Sequence, residues 1–191
     1  AGKGIYKKEG VGLKKLAKIF LTGMYLHLFL SIAVPVGMLY FGSDGWNVTV
    51  IGLFVFYLAM AALVHIAGWG CVVAAVTAYR RNEADKLRQS WKWLKLWSIP
   101  FYVLNFLYSF FVWFVLVGAS RGIMIFLVPS PVIFTCLLIV QSGCVGICYI
   151  MLLRKECRKP PSGVHYVLQL LSVIDIFDTV FVLKNYREER S

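Results

Sequence analysis

The feature that most constrains this chain is a set of uninterrupted apolar runs, each about as long as a bilayer's hydrocarbon is thick. A helix rises 1.5 Å per residue, so about 20 apolar residues cross roughly 30 Å of hydrocarbon. Four runs reach that length: residues 19–41, 50–79, 100–117 and 132–153. The first is interrupted only by Thr22, His27, Ser31 and Pro35. At 23 residues it is longer than a signal-peptide core of about 7–15, so it is expected to stay as a span. The chain has 191 residues, 60% of them hydrophobic and 15% charged, with a mean hydropathy of +0.75. Soluble domains average about 25% charged, so the composition excludes a disordered tail and argues against a soluble enzyme. The fold class expected is an all-α integral membrane protein, a four-helix transmembrane bundle plus a C-terminal amphipathic helix.

Charge gives the orientation. Short cytoplasmic segments carry the excess of Lys and Arg. Six lysines precede or open the first run: Lys3, Lys7, Lys8, Lys14, Lys15 and Lys18. Arg80, Arg81, Lys86, Arg88, Lys92 and Lys95 follow the second, and Arg154, Lys155, Arg158 and Lys159 follow the fourth. With four crossings and both termini inside, every one of the 20 basic residues except Arg121 is cytoplasmic. A fifth crossing through residues 164–183 also obeys the rule, but it moves Lys184, Arg187 and Arg190 outside. The division expected is therefore a basic cytoplasmic arm over 1–18, the four-span bundle over 19–153, and a cytoplasmic loop, helix and tail over 154–191.

The segment 164–183 is amphipathic. His165, Gln169, Ser172 and Thr179 share one helical face with Asp175 at its edge, opposite Val167, Leu170, Leu171, Ile174 and Phe181. It suits either the inner membrane surface or a re-entrant position with its polar stripe facing the bundle. His165, Asp175 and Asp178 are the only acid–base set on which lipid chemistry is imaginable, and two carboxylates one turn apart are a weak metal signal.

Residues 80–98 form a basic, Trp-rich segment. Asn82 reads as a helix N-cap, with Glu83 and Asp85 in the first turn. Leu87, Trp91, Leu94 and Ser98 continue as one line. Trp91, Trp93 and Trp97 beside Lys92 and Lys95 read as interfacial anchors drawn to anionic lipid headgroups. Nucleic acid is not an expected partner, because this segment joins two spans.

Within the runs, polar and small residues carry the remaining information. His27, His65 and Asn105 stand at membrane depth, where such groups normally face the bundle interior. Counted from the apolar boundary, the two histidines differ in depth by about 7–8 Å, which does not suit a haem. No cofactor or metal is expected. Ala67, Cys71 and Ala75 repeat every fourth residue, as do Gly70, Ala74 and Ala78, and Ser142 and Gly146 are spaced alike. Such rows let helix backbones approach, so spans two and four are expected to pack together, or to pack between chains. The five cysteines, Cys71, Cys136, Cys144, Cys148 and Cys157, include no Cys-x-x-Cys pair and read as small apolar side chains.

There is no phosphate-binding loop, no nucleophile elbow and no His-Glu-x-x-His. The reading that follows is a small non-enzymatic membrane protein acting as an accessory, assembly, regulatory or immunity-type partner of another membrane protein. The alternative is a small transporter or channel formed by oligomerisation. An intramembrane lipid-modifying enzyme ranks third.

Overall fold

A computed structural model describes residues 11–41, 48–119, 129–156 and 162–168. The described residues are almost entirely helical and contain no strand. Four long helices, α1 (Val11–Phe41), α2 (Val48–Arg80), α3 (Ala84–Ala119) and α4 (Pro129–Glu156), precede a short α5 (Val164–Leu168). Three of them contain stretches long and apolar enough to cross a membrane: Gly12–Ala33, Ile51–Arg80 and Val132–Lys155. The main contacts run in a ring, α1 to α2, α2 to α4, α4 to α3 and α3 to α1, around one core.

α1 begins well before its apolar run. Leu13, Ala17, Phe20 and Met24 are buried at three- and four-residue spacing, so the stretch carrying Lys14, Lys15 and Lys18 belongs to the packed helix. Those lysines project from the exposed side of the same helix.

The turn after α2 differs from the expected N-cap at Asn82. Asn82 has φ 55°, the left-handed conformation that ends a helix. The Glu83 N–H donates to the Ala78 carbonyl and the Asn82 N–H to the Tyr79 carbonyl, at 3.0 and 3.1 Å. This is the paired closure of a Schellman motif, so Asn82 terminates α2. Glu83 takes the capping place one residue on: its carbonyl accepts from Leu87 N–H, and its carboxylate pairs with Lys86 at 3.0 Å.

The Trp-rich segment and the third apolar run are one helix, α3, of 36 residues with Pro100 inside it. Continuity follows from the buried stripe Ala84, Leu87, Trp91, Leu94, Ser98 and Phe101, which passes the proline without changing phase. Pro100 has no N–H for the Leu96 carbonyl. Next to that break, the Tyr25 hydroxyl of α1 donates to the Trp97 carbonyl at 2.8 Å, tying the two helices together there.

Candidate functional site: a polar cluster between the helices

The side chains that could do more than pack meet between α1, α2 and α4. His27 is 5% exposed. Its imidazole is stacked between Tyr57 of α2 and Phe134 of α4, with centroid distances of 4.5 and 4.1 Å and interplanar angles of 29° and 18°. Its Nε2 is buried and has no hydrogen-bond partner among the described residues. His65 meets the same Phe134 ring edge-on at 4.6 Å.

His65 is fixed by Gln141 of α4. The Gln141 amide nitrogen donates to the His65 carbonyl at 3.2 Å, which orients the amide. Oε1 of Gln141 then faces His65 Nδ1 at 3.4 Å. A carbonyl oxygen only accepts, so this contact is a hydrogen bond in the tautomer that carries the proton on Nδ1. Gly68 makes room for this arrangement. A Cβ there would stand 2.7 Å from Gln141 Cδ and 2.8 Å from Phe20 Cε2.

Other polar groups tie the helices together around the cluster. The Tyr108 hydroxyl of α3 donates to the Ser31 carbonyl of α1. Asn105 Nδ2 donates to Thr135 Oγ1 at 2.9 Å, joining α3 to α4, and Tyr102 and Ser142 hydroxyls lie 3.3 Å apart on the same two helices. Each is an interhelical bond of the kind used where water is scarce.

The sequence placed His27 and His65 at unequal depths, and the structure brings both onto one ring. The reason is the early start of α1. His27 is nearly as far from Val11 as His65 is from Arg80, so the two sit at similar heights in antiparallel helices. Asn105 stands apart from them, at the α3–α4 contact. His165 lies half-buried in α5, which reaches α4 through Arg154 and Tyr166. Asp175 and Asp178 lie outside the described residues.

The small-residue rows lie within the chain. Cys71, Ala75 and Ala78 are buried, and Ala67, Gly70 and Ala74 are half-buried. Ser142 and Gly146 are buried on α4. α2 packs against α4 and more extensively against α1, where Leu16 lies 3.8 Å from a Cβ position at Gly70 and Val64 2.9 Å from one at Gly23.

The interfacial set divides. Lys92, Trp93 and Trp97 are exposed, with the two indoles 5.4 Å apart and Lys18 over the Trp93 ring at 5.6 Å. Trp91 and Lys95 face inward instead. Trp91 is fully buried against Tyr149 at 4.7 Å, and Lys95 is 5% exposed. They share the α3 stripe that includes Leu87 and Leu94, and the helical repeat turns that stripe toward α1 and α4.

Sequence reasoning passed over Gln141, Tyr57, Phe134 and Gly68. Gln141 carried a usable signal, since a lone glutamine inside an apolar run needs a partner on another helix. Tyr57 and Phe134 carried none, because aromatic residues are spread along every run.

Among the described residues the architecture is almost entirely helical, with three helices of membrane-spanning length and composition and a polar cluster between the helices. The chain belongs to DUF6652, a family of unknown function whose model matches residues 15–188. No curated protein and no solved structure matches it.

Proposed function

We propose that this is a small non-enzymatic integral membrane protein that works by packing a helix face against another membrane protein, as an accessory, assembly, regulatory or immunity-type subunit. In this reading α1 to α4 each cross the membrane, both termini are cytoplasmic, and the basic ends of the helices sit among anionic lipid headgroups. A cysteine added after Ser191 is therefore shielded from an impermeant thiol reagent in intact cells. Labelling from outside moves the tail across and selects five crossings.

The observation that carries the partner reading is the imbalance between helices. In the most apolar stretch of α4, 61% of residues are buried within the chain; in that of α2 only 11% are. The exposed side of α2 mixes Gly52, Ala59 and Ala62 with Ile66, Trp69 and Val73. Small residues among large ones let a second helix approach closely, where dispersion rather than hydrophobic transfer holds membrane helices together. The exposed side of α3 is different, with Phe106, Phe110, Phe111 and Phe114 standing outward in the manner of lipid-facing rings.

Photo-crosslinking residues at Ile66 and Val73 are expected to join the chain to a discrete protein in native membranes, while the same residues at Phe106 and Phe110 join it to lipid. Lipid adducts alone at all four positions would overturn the reading.

A second reading, a small transporter or channel built by oligomerisation, is favoured by one observation, the polar cluster of His27, Tyr57, His65 and Gln141. Solute or ion flux through reconstituted vesicles that His27→Phe abolishes would select it over the first.

A further inference from the structure

We infer that the seam between α1 and α3 binds one anionic phospholipid, its phosphate at Lys14 and Lys18 and an acyl chain along the apolar side chains beyond them. The inference rests on the membrane placement proposed above and deepens it, but it does not depend on the partner reading.

Three contacts define the seam. Lys18 Nζ stands over the Trp93 ring at 5.6 Å, the Tyr25 hydroxyl donates to the Trp97 carbonyl at 2.8 Å, and the Tyr108 hydroxyl donates to the Ser31 carbonyl. Residue numbers rise together along both helices, so α1 and α3 run parallel and their basic ends lie side by side. From Lys18 to Ser31 the helix rises roughly 20 Å. One leaflet, half of a hydrocarbon core of about 30 Å, is roughly 15 Å deep. The seam therefore covers the depth of one leaflet, counted from the lysines.

Its two parts differ in chemistry. Lys14 and Lys18 are exposed one turn apart on a helix that contains no Asp or Glu, and among the described residues neither pairs with a carboxylate. The cation–π contact holds Lys18 beside Trp93 and leaves its ammonium protons to donate to an anion. Trp93 and Trp97, exposed and 5.4 Å apart, suit the headgroup level, where a ring with an apolar body and a polar tip is favoured. Three turns farther on, Phe29 of α1 and Leu104 of α3 are 65% and 50% exposed. The helical repeat puts Phe29 on the flank of Lys18 and Leu104 on that of Trp93. An anion joined to an apolar tail matches both parts. An acidic peptide or a free phosphate matches the lysines and leaves Phe29 and Leu104 uncovered.

The test uses the full chain in neutral detergent, titrated with phosphatidylglycerol or phosphatidylcholine of equal chain length and followed by native mass spectrometry. One phosphatidylglycerol per chain is expected to be held, more tightly than phosphatidylcholine. Lys14→Gln with Lys18→Gln is expected to weaken it about 30-fold, at about fivefold per lysine. Arg80→Gln with Lys92→Gln removes the same charge from the end of α2 and the far flank of α3, both exposed, and should leave binding unchanged. Glycerol phosphate, the bare headgroup, should not displace the lipid. Equal weakening by the two charge pairs overturns the inference, as does equal retention of the two lipids. Displacement by glycerol phosphate or by an oligoglutamate peptide also overturns it, assigning the lysines to a free phosphate or to an acidic protein segment. Sidedness plays no part in a micelle, so an outward-facing basic end, read by thiol labelling in intact cells, is a separate failure.

Discussion

Replacing Gly68 by alanine is expected to destabilise the protein as much as the loss of a large core side chain. The added carbon has no room: it would stand 2.7 Å from Gln141 Cδ and 2.8 Å from Phe20 Cε2, both closer than carbon atoms approach without repulsion. Overpacking of this kind costs about 1–3 kcal/mol. Gln141 is the more flexible neighbour, so it is the one displaced. Moving it breaks its bond to the His65 carbonyl and withdraws the acceptor from His65 Nδ1. Leaving a buried polar group unpaired adds about 1–3 kcal/mol. Gly52→Ala supplies the control, because nothing lies within 4 Å of a Cβ there. On propensity alone that substitution favours the helix by up to about 1 kcal/mol. Unfolding in detergent micelles should therefore move in opposite directions for the two glycines. A double-mutant cycle joining Gly68→Ala to Gln141→Ala should show coupling of about 0.5–3 kcal/mol, because the two share one space. Equal behaviour of the Gly52 and Gly68 variants would refute the close contact of α1, α2 and α4.

How much of this was legible in the sequence depends on which property each residue contributed. The long apolar runs were plain, since span length follows from bilayer thickness and needs no knowledge of neighbours. The start of α1 was not. Lys14, Lys15 and Lys18 mask a buried line of Leu13, Ala17 and Phe20, and an average over the window registers the charges more strongly than the face they leave free. The same blindness separated the Trp-rich segment from the third run. Pro100 and the change in composition suggested a boundary, whereas the stripe from Ala84 through Phe101 keeps its phase across it. At Asn82 the residue type was informative but the role was ambiguous. Asparagine favours both an N-cap and the left-handed end of a helix, and only φ distinguishes them.

The polar cluster was half legible for a related reason. His27 and His65 stood out as ionisable groups at membrane depth, and that chemistry alone directs them inward. Their meeting did not, because it depends on helix offset, and the offset is set by where α1 begins. Gly70 shows the same limit from the other side. Its four-residue row is the kind that suits close packing, but sequence spacing is silent on which helix fills it, and the nearest atom belongs to Leu16 of α1. Asn105 was the simplest case. Its single interhelical bond to Thr135 is what an amide in an apolar run requires.

The tryptophans provide the sharpest separation of anchoring from packing, and Trp91→Ala is expected to be among the most destabilising single substitutions in the chain. Trp91, Trp93 and Trp97 are indistinguishable by composition, since all three lie among lysines in one short segment. The helical repeat separates them. Trp91 is fully buried against Tyr149, while Trp93 and Trp97 lie outward, next to each other and within reach of Lys18. Truncating a buried Trp typically costs about 3–5 kcal/mol, through lost contacts and the cavity left behind. The contact component persists in lipid, because a void has no partner atoms whatever solvent surrounds the protein. Trp91→Phe preserves part of the stack on Tyr149 and should lie between wild type and alanine. Trp93→Ala and Trp97→Ala are exposed substitutions, expected within about 0.5 kcal/mol of wild type. Their effect should appear instead in the depth and tilt at which α3 sits in a bilayer, which an interfacial Trp helps to set. Unfolding midpoints of the three alanine variants in one detergent measure the first effect, and quenching by lipids brominated at known depths measures the second. If Trp91→Ala unfolds like Trp93→Ala, then α3 meets α4 at Tyr149 only loosely, and the whole segment is an anchor on the membrane surface rather than the inner half of a packed helix.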